Sequence, residues 1–250
     1  MTGSVIIVGL GPGNTALITP EVAQALAQAT DIVGYFPYVA RVAPRPGLTL
    51  HGSDNRVEVD RAQYALTMAL NGRRVVVVSS GDPGVFAMAT AVFEAVEAGP
   101  LGWRSLDIRV LPGITAMLAA AAAAGAPLGH DFCAINLSDN LKPWAVIENR
   151  LRLAAQADFA MAFYNPRSAS RPQQFVRALE VLREECGDAR PVIFACAVSL
   201  PEQEIRVVSL PEATADMADM RTVVIVGSSQ TRLIRRDGAA PFVYTPRSVG

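Results

Sequence analysis

Residues 75–84 read VVVVSSGDPG: four consecutive valines, two serines, and then Gly81-Asp82-Pro83-Gly84. A continuous apolar run without alternation predicts a strand that is buried on both faces of a parallel sheet. The glycine and proline residues that follow predict a tight loop at the carboxyl end of this strand. Ligands of open α/β sheets bind outside the carboxyl ends of the strands. This stretch therefore predicts both the fold class and the position of a candidate site.

The same order of strand, loop and helix recurs through the first half of the chain. Thr19 followed by Pro20 is typical of a helix start, and Asn71-Gly72 is typical of a helix end. The predicted strands are residues 5–8, 31–35, 75–78 and 106–111, and the predicted helices are 20–29, 57–70 and 85–98. This alternation predicts an α/β domain with a mostly parallel sheet, to which we assign residues 1–113.

The pattern changes after Pro112-Gly113, where an alanine-rich helix runs to about residue 124. The predicted strands are then 132–137, 159–164, 192–198, 205–209 and 223–226, and the predicted helices are 144–157 and 172–185. Strands 192–198 and 205–209 leave no room for a crossover helix, so we expect an antiparallel pair. Residues 114–250 are predicted to form a second α/β domain with a mixed sheet, and its tail, 237–250, an irregular surface segment.

Composition excludes several classes of protein. The chain has 22 lysine and arginine residues and 23 acidic residues, so its net charge of −1 gives no overall field for nucleic acid or an acidic membrane. The longest apolar stretch, residues 114–124, is shorter than the roughly 20 residues that a span needs. No signal-peptide pattern precedes residues 5–8. We expect a soluble, cytoplasmic protein that binds neither nucleic acid nor membrane.

Cysteine and histidine spacing predicts neither a disulfide framework nor a metal site. The three cysteines, at 133, 186 and 196, are odd in number and contain no CxxC pair. They fit a reducing compartment and are expected to pack as small apolar side chains. The two histidines, His51 and His130, lie far apart in the sequence, so we expect no zinc site.

The loop Gly9-Leu10-Gly11-Pro12-Gly13 suggests a dinucleotide site but departs from its pattern. The fingerprint would require glycine at the position of Asn14. Pro12 also removes a backbone N–H where a phosphate needs donors. The ribose-binding acid would end the second strand, whereas Asp31 begins it. These departures disfavour a nicotinamide or flavin enzyme.

Two later loops each have a structural and a functional interpretation. Asp82 before Pro83 is compatible with a helix N-cap followed by proline at the first helical position. It also lies at the carboxyl end of a buried strand, where ligands bind. Pro112-Gly113-Ile114-Thr115 shows the same arrangement after the next strand, and Thr115 is compatible with a simple helix start.

The order of Gly9-x-Gly11-Pro12-Gly13, Gly81-Asp82-Pro83 and Pro112-Gly113-Ile114-Thr115 resembles the tetrapyrrole methylases, which use S-adenosylmethionine. Three longer stretches resemble the precorrin branch of this family: SSGDPGVFAMA (79–89), GAPLGHDFCAINLSDNLKPW (125–144) and YNPRS (164–168). The resemblance covers nearly the whole chain. It implies a homodimer of two-domain subunits with the cofactor in a cleft between the domains.

The resemblance also implies site residues, matched position by position. The implied cofactor-binding residues are Pro12, Gly81, Asp82, Val85, Thr115, Ala116, Asn165 and Ala197, with Val198 close to the last. The implied substrate-binding residues are Gly11, Gly13, Arg167 and Lys142. Because the substrate carries several carboxylates, the wider set of basic candidates includes Arg41, Arg45, Arg56, Arg61, Arg150 and Arg171.

The implied reaction is methylation of precorrin-3B at carbon 17, coupled to contraction of the ring to precorrin-4, in cobalamin biosynthesis. The candidates for a general acid or base are His130, Ser138 and Asp139, with Asp131 and Glu58 as further carboxylates. His130 is also compatible with a structural role, and Asp139 with a turn. A cobalt-containing substrate, another target carbon and a non-catalytic tetrapyrrole-binding protein remain open. Transient hand-over of the substrate to neighbouring pathway enzymes is a further expectation.

Overall fold

The computed structural model describes residues 3–54 and 57–248, which form two compact units. The first unit ends at Ala116 and the second begins at Met117. Each unit packs helices against a β-sheet, so the predicted α/β class is confirmed.

The first unit is built on a five-stranded sheet in which all neighbouring strands are parallel. The strands are β1 (Ser4–Gly9), β2 (Asp31–Tyr35), β3 (Thr49–Ser53), β4 (Arg74–Ser79) and β5 (Asp107–Leu111). Their spatial order is β3-β2-β4-β1-β5, which places β1 between β4 and β5. β3 is not among the strands that the sequence pattern predicts. This strand lies at the sheet edge and is only half-buried, so it lacks the apolar run of a central strand.

Helices cover both faces of this sheet. They are α1 (Pro20–Gln28), α2 (Phe36–Val39), α3 (Glu58–Leu70) and α4 (Met88–Ala98), with 3₁₀ turns at Thr15–Leu17 and Leu101–Ser105. Side chains of a strand alternate between faces. Val75 and Val77 accordingly pack with α3 and α4, whereas Val76 and Val78 pack with α1. The valine run is thus continuous because both of its faces are buried.

The start of α1 is as predicted from its local sequence. The Thr19 hydroxyl accepts a hydrogen bond from the Val22 amide at 3.3 Å, and Pro20 is the first helical residue. The end of α3 is also as predicted, with Asn71 as C-cap and Gly72 at φ +85°. Both helix ends could be predicted from the sequence because capping involves residues within one helical turn.

The predicted start of α4 at Val85 is wrong, since the helix begins at Met88. Gly81 and Phe86 have φ values of +61° and +54°, so the intervening chain forms an irregular loop. The Ser79 hydroxyl accepts a hydrogen bond from the Met88 amide at 3.3 Å. Ser79 therefore satisfies a terminal amide of α4, and the N-cap interpretation of Asp82 is wrong.

The second unit contains a mixed five-stranded sheet in the order β10-β9-β11-β8-β7. Its elements, preceded by α5 (Ala116–Ala124) and β6 (Gly125–Ala126), are β7 (Phe132–Asn136), α6 (Trp144–Gln156), β8 (Ala160–Tyr164), α7 (Gln174–Glu185), β9 (Pro191–Cys196), β10 (Glu204–Ser209) and β11 (Thr222–Val226), with a 3₁₀ turn at Ala215–Met217. The expected antiparallel pair, β9 and β10, is confirmed.

The strand directions fix which loops share an edge of this second sheet. β7 is parallel to β8, and both β8 and β9 are antiparallel to β11. The carboxyl ends of β7, β8 and β9 therefore lie at one edge. On one face of the sheet, α6 and α7 form the core with side chains such as Leu151, Phe163 and Phe175. Burying one such side chain contributes about 1.5–3 kcal/mol.

The tail prediction is wrong, because residues 239–244 form a strand. β12 (Arg232–Arg236) and β13 (Ala239–Tyr244) are antiparallel, and β13 also pairs with β6. The two strands are joined by Asp237-Gly238, with Gly238 at φ +67°. Asp-Gly is a hairpin signal, and it is present in the sequence of the tail that was expected to be irregular. Residues 249–250 of the tail lie outside the described residues.

Cysteine packing matches the expectation at two positions. Cys186 belongs to the core of the second unit and Cys133 packs against it, and burial raises the pKa of both thiols. Within residues 3–54 and 57–248, no helix combines the length and the apolar character needed to cross a membrane.

Candidate active site

Three loops meet at the carboxyl edge of the parallel sheet, after the adjacent strands β4, β1 and β5. Gly11 and Gly81 exchange two backbone hydrogen bonds: the Gly11 amide donates to the Gly81 carbonyl at 3.1 Å, and the Gly81 amide donates to the Gly11 carbonyl at 2.9 Å. The Leu10 amide donates to the Ser79 carbonyl at 2.8 Å. The loops after β1 and β4 are thus held together by their own backbones.

Asp82 connects the second of these loops to the third. Its Oδ1 accepts a hydrogen bond from the Gly84 amide at 2.8 Å, and its Oδ2 accepts one from the Gly113 amide at 3.0 Å. Hydrogen bonds to a carboxylate are stronger than neutral ones, at about 1.5–3 kcal/mol. Both carboxylate oxygens therefore fix backbone of the site.

The glycines of the three loops serve two different purposes. A Cβ on Gly113 would lie 2.2 Å from the Gly81 carbonyl oxygen, and one on Gly9 would lie 2.3 Å from the same atom. At these two positions glycine is needed because three backbones are packed together. A Cβ on Gly81 would lie 3.5 Å from the Thr115 Cα, an ordinary contact, so glycine is favoured there by its φ of +61°.

Arg41 holds the first loop from its other side. The guanidinium donates to the carbonyls of Leu10 at 2.5 Å, Gly13 at 3.1 Å and Gly11 at 3.2 Å. Burial lowers the pKa of Arg41. Its donors are committed to the loop, which leaves little of this arginine for a substrate carboxylate.

The topology creates a crevice at this edge. The chain leaves β1 through α1 on one face of the sheet, and it leaves the adjacent strand β4 through α4 on the opposite face. Connections that diverge from neighbouring strands open the ligand-binding crevice of doubly wound sheets. The structure brings together here the following predicted residues: Gly11, Pro12, Gly13, Gly81, Asp82, Val85, Thr115 and Ala116.

Two further candidates occupy one edge of the second sheet. Asn165 follows β8 and Ala197 follows β9, with φ values of +53° and +48°. Such values are uncommon for residues other than glycine. The Arg171 guanidinium donates to the Asn165 carbonyl at 3.1 Å, and the Asn165 side chain donates to Asn136 Oδ1, also at 3.1 Å. These contacts hold Asn165 in its left-handed conformation.

Ser138 and Asp139 lie at the same edge, just after β7. Asn136 Oδ1 also accepts a hydrogen bond from the Ser138 amide at 2.9 Å. The Gln174 side-chain amide, at the start of α7, donates to Asp139 Oδ2 at 3.0 Å. No sequence signal points to Gln174, because only the tertiary structure brings the start of α7 beside the loop after β7.

His130 is placed at the opposite edge, before β7. Its Nδ1 lies 3.7 Å from Asp131 Oδ2, beside a cavity of about 230 Å³ that Asp158 also lines. A five-residue strand spans about 17 Å. The structure therefore does not bring His130 and Asp131 together with Ser138 and Asp139. Glu58 is an exposed first residue of α3 in the other unit.

The basic candidates fall into two groups according to their hydrogen-bond partners. Arg45 donates to the Leu26 and Ala29 carbonyls, and Arg61 to the Ser53 hydroxyl and the Asp54 carbonyl. These two arginines, like Arg41, support backbone or loop structure. Arg56 lies outside the described residues.

Three basic candidates remain available for a ligand. Within the described part of the chain, Lys142, Arg150 and Arg167 make no direct hydrogen bond or ion pair, and Arg167 has the Asp216 carboxylate as a more distant counter-charge. Burial and the nearby charge of Arg150 lower the pKa of Lys142. Two neighbouring cations such as Lys142 and Arg150 form a local site for anionic groups.

His51 takes part in a separate polar network in the first unit. Its Nε2 lies 2.9 Å from Asp31 Oδ1, and Arg73 Nε lies 2.6 Å from Asp31 Oδ2. A cavity of about 630 Å³ beside β3 and α3 is lined by His51 and Arg61. Across residues 3–54 and 57–248, no group of three histidine, cysteine or acidic side chains is arranged to hold a metal ion.

A parallel sheet with a glycine-rich edge and a separate mixed sheet are the two parts of the fold, and they match one family of methyltransferases. The family model described as "Tetrapyrrole (Corrin/Porphyrin) Methylases" matches residues 4–214, and the chain belongs to this family. It is 56% identical over 247 residues to the precorrin-3B C(17)-methyltransferase of Sinorhizobium sp, with 99% of this chain and 97% of that protein covered.

Other relatives and solved structures agree with this placement. The cobalamin biosynthesis protein CobIJ of Mycobacterium bovis is 47% identical over 99% of this chain, which spans 48% of that longer protein. The crystal structure of the methyltransferase CobJ is 69% identical and superposes with a TM-score of 0.93 over 98% of this chain and all of that one. A uroporphyrin-III C-methyl transferase from Thermus thermophilus, complexed with S-adenyl homocysteine, shares the fold at 21% identity (TM-score 0.70, 90% and 97% covered).

Proposed function

We propose that the chain transfers a methyl group from S-adenosylmethionine to carbon 17 of precorrin-3B, with contraction of the ring to precorrin-4, in cobalamin biosynthesis. The observation that carries this proposal is the likeness, over nearly the full length of both chains, to the Sinorhizobium enzyme of that name. The three-loop edge of the parallel sheet supplies the structural support.

The residues at this edge fit S-adenosylmethionine. The cofactor supplies a methyl group on a sulfonium, and S-adenosylhomocysteine is the product. Pro12 and Val85 present half-buried apolar surface, and the buried Thr115 follows Gly113 on the third loop. Both oxygens of Asp82 are already hydrogen-bonded to backbone amides. The loops therefore present uncharged side chains and backbone to the cofactor. Such a surface suits S-adenosylmethionine, because the positive charge of its sulfonium disperses in the transition state.

Rigidity is the main contribution that we assign to these loops. Methyl transfer requires the donor, the methyl carbon and the acceptor carbon in line, and holding reactants in such geometry accelerates reaction greatly. The paired Gly11 and Gly81 backbones, the Asp82 bridge and the Arg41 contacts all restrict the loops. Pro12, Gly81, Asp82, Val85, Thr115 and Ala116 are proposed to line the cofactor, with Asn165 and Ala197 contributing from the second unit.

The substrate carboxylates are assigned to basic side chains that make no direct hydrogen bond or ion pair with another described residue. Arg167 belongs to the segment that follows β8, and Lys142 with its neighbour Arg150 follows β7. β7 and β8 end at the same edge, so Lys142 and Arg167 are carried by loops of that edge, whereas Arg150 lies within α6. Gly11 and Gly13 are proposed to contact the substrate from the first loop.

Ring contraction is assigned to a proton-transferring group near that edge. Asp139 is held by Gln174 at 3.0 Å, and Ser138 is its neighbour in the chain. A general acid or base must lie within hydrogen-bond reach of the proton that it moves. We therefore favour Asp139, with Ser138 beside it, over His130 at the opposite edge of the sheet.

We further propose a cytoplasmic homodimer that passes its product to neighbouring enzymes of the pathway. Sedimentation of the purified protein over a range of concentrations tests the dimer. A species with the mass of one 26.5 kDa chain at micromolar concentration would contradict it.

Turnover of precorrin-3B with labelled S-adenosylmethionine tests the reaction. We expect one labelled methyl group at carbon 17 and the absorption spectrum of a contracted ring. A parallel reaction with the cobalt-containing substrate tests the second candidate, which is favoured by 38% identity to a probable cobalt-factor III C(17)-methyltransferase of Salmonella typhimurium. Label at another carbon, or none on any tetrapyrrole, would overturn the proposal.

A further inference from the structure

The side-chain amide of Gln174 is hydrogen-bonded through only one of its two polar atoms. Its Nε2 donates to Asp139 Oδ2 at 3.0 Å. Its Oε1 is buried, and none of the residues that the structure describes donates a hydrogen bond to it. Most buried side-chain oxygens in proteins do accept a hydrogen bond, so this exception needs a physical reason.

The packing of α7 does not explain a glutamine at position 174. Gln174 is the first residue of this helix, and the N-cap residue before it, Gln173, makes no side-chain capping hydrogen bond. The core contacts of the helix come from residues such as Phe175 and Leu179. An apolar side chain at position 174 would leave no buried oxygen unpaired. The contact with Asp139 is therefore what distinguishes this glutamine.

An amide group can be the partner of both forms of a carboxyl group. An ionised carboxylate only accepts hydrogen bonds, so the amide must present its Nε2, as Gln174 does. A protonated carboxyl group has an O–H donor, and a half-turn of the amide presents the Oε1 acceptor to it. Each form of Asp139 thus uses one polar atom of Gln174. The buried, unpaired Oε1 is the atom that the protonated form would use.

A buried cation also lies near Asp139. Arg171, in the segment between β8 and α7, is 7% exposed, and its guanidinium donates to the Asn165 carbonyl at 3.1 Å. Burial lowers the pKa of Arg171, and the charge of Asp139 partly offsets this effect. Lys142 stands three positions after Asp139 in the same loop. Gln174, which touches the carboxylate directly, is uncharged, so its contact does not depend on the charge of Asp139.

We propose that Gln174 is a positioning residue for ring contraction, which holds Asp139 through Nε2 while the carboxylate is ionised and through Oε1 once the carboxylate has taken up a proton. This inference rests on the proposed function, in which Asp139 transfers a proton. The amide turns about its own Cγ–Cδ bond, so Asp139 keeps its place while its charge changes. A proton-transferring group must keep its distance and angle to the reacting atom. Gln174 thus acts on the reaction through Asp139.

Gln174→Met tests this role, and Gln174→Leu repeats the test if the methionine variant folds poorly. Methionine is similar in length to glutamine but has neither the amide donor nor the carbonyl acceptor. Gln173→Met is the matched control, because Gln173 is exposed, adjacent in the chain and not bonded to the helix through its side chain. Each protein is measured for S-adenosylhomocysteine affinity, for single-turnover methyl transfer and ring contraction, and for urea unfolding.

Gln174→Met should slow ring contraction about tenfold or more, the effect of losing one hydrogen bond to a charged group. Methyl transfer and S-adenosylhomocysteine affinity should match those of the wild type. The urea midpoint should not fall, because the substitution also removes a buried, unpaired oxygen. Gln173→Met should behave as the wild type in all four measurements.

Two further variants distinguish positioning of Asp139 from general support of the fold. Gln174→Met should slow contraction less than about twofold further when position 139 is already asparagine, because residues that act through one another are not additive. Gln174→Glu should move the pH dependence of contraction upwards by about one unit or more. Two adjacent carboxyl groups resist ionising together, so one of them keeps its proton to a higher pH.

Wild-type contraction in Gln174→Met would overturn the inference, as would equal slowing in the Asp139→Asn background or an unmoved pH dependence in Gln174→Glu. An equal loss of methyl transfer and contraction would also overturn it, because the residue would then support the site as a whole. Failure of the proposed function has a different signature. Asp139→Asn alone would then contract the ring at the wild-type rate, or the wild type itself would not methylate precorrin-3B.

Discussion

The Asp82 carboxylate accepts a hydrogen bond from the Gly113 amide at 3.0 Å, across 31 positions of the chain. This contact joins the loops after β4 and β5 over the end of β1, which lies between those strands. The other carboxylate oxygen accepts from the Gly84 amide. One side chain thus fixes the relative position of two loops that are proposed to hold the methyl donor.

Asp82→Asn should lower the free energy of unfolding by about 1–3 kcal/mol. Asparagine has one acceptor oxygen, so its NH₂ group must face one of the two backbone amides that the carboxylate satisfies. Urea unfolding measures the change. Asp107→Asn is the control, because the Asp107 side chain is 56% exposed and its ion pair with Arg109 is a surface contact. Wild-type stability of Asp82→Asn would be the result expected of a helix cap, since Asn caps as well as Asp.

Gly113→Ala should destabilise the protein by about 3 kcal/mol or more, or prevent its folding. The added Cβ would lie 2.2 Å from the Gly81 carbonyl oxygen and 2.8 Å from the Gly9 Cα, and backbone atoms cannot move aside as a flexible side chain does. Gly187→Ala is the matched control, because a Cβ there meets nothing within 4 Å. Equal urea midpoints for the two variants would show that the three backbones are not closely packed.

The free energy of unfolding should decrease in acid, because Asp31 becomes protonated there. Burial disfavours its charge, but hydrogen bonds from Arg73, His51 and Thr30 outweigh burial and lower the pKa of Asp31 to about 2. The unfolded value is about 3.9. A lowered folded pKa contributes stability above the unfolded pKa, here about 2.5 kcal/mol, and this contribution is lost as the pH falls towards 2.

Urea unfolding at pH 6 and pH 3 checks this linkage. About half of the Asp31 contribution should be lost at pH 3. Asp31→Asn should be less stable than the wild type at pH 6, and the difference between the two proteins should narrow at pH 3. A constant difference at both pH values would mean that the Asp31 carboxylate is not preferentially ionised in the folded state.

Arg167→Ala should weaken precorrin-3B binding by about 1.5–3 kcal/mol, the range for one hydrogen bond to a charged group. S-adenosylhomocysteine affinity should not change. Arg177→Ala is the control, since Arg177 is an exposed residue of α7 that is outside the candidate set. Normal substrate affinity in Arg167→Ala would remove this residue from the proposed site.

Asp139→Asn should slow ring contraction at least tenfold while methyl transfer continues, because the two steps need different groups: alignment for transfer, and a proton donor or acceptor for contraction. His130→Ala is the comparison and should contract the ring at the wild-type rate. Incorporated label and the product spectrum are followed together. Slow contraction in His130→Ala with normal contraction in Asp139→Asn would reverse our assignment.

Local sequence was sufficient for the elements whose signals lie within a few residues. Thr19-Pro20 predicted the start of α1, and the valines of β4 predicted a strand buried on both faces. The hairpin of β12 and β13 could likewise have been predicted from Asp237-Gly238, although the tail was expected to be irregular. The separation of His130 from Asp139 was also implicit, because the predicted strand 132–137 stands between them.

The sequence by itself therefore determined the α/β class, most helices and strands, and the resemblance to the methylase family. Only the tertiary structure decided which residues share a site. The sequence Asp82-Pro83 is typical of a helix start, yet the Asp82 carboxylate accepts a hydrogen bond from the Gly113 amide. The first amide of α4 donates instead to the Ser79 hydroxyl. Asn165 and Ala197 share an edge because β11 pairs with both β8 and β9. Capping and periodicity depend on neighbours within one or two turns, whereas these contacts depend on strand order, which no local signal encodes.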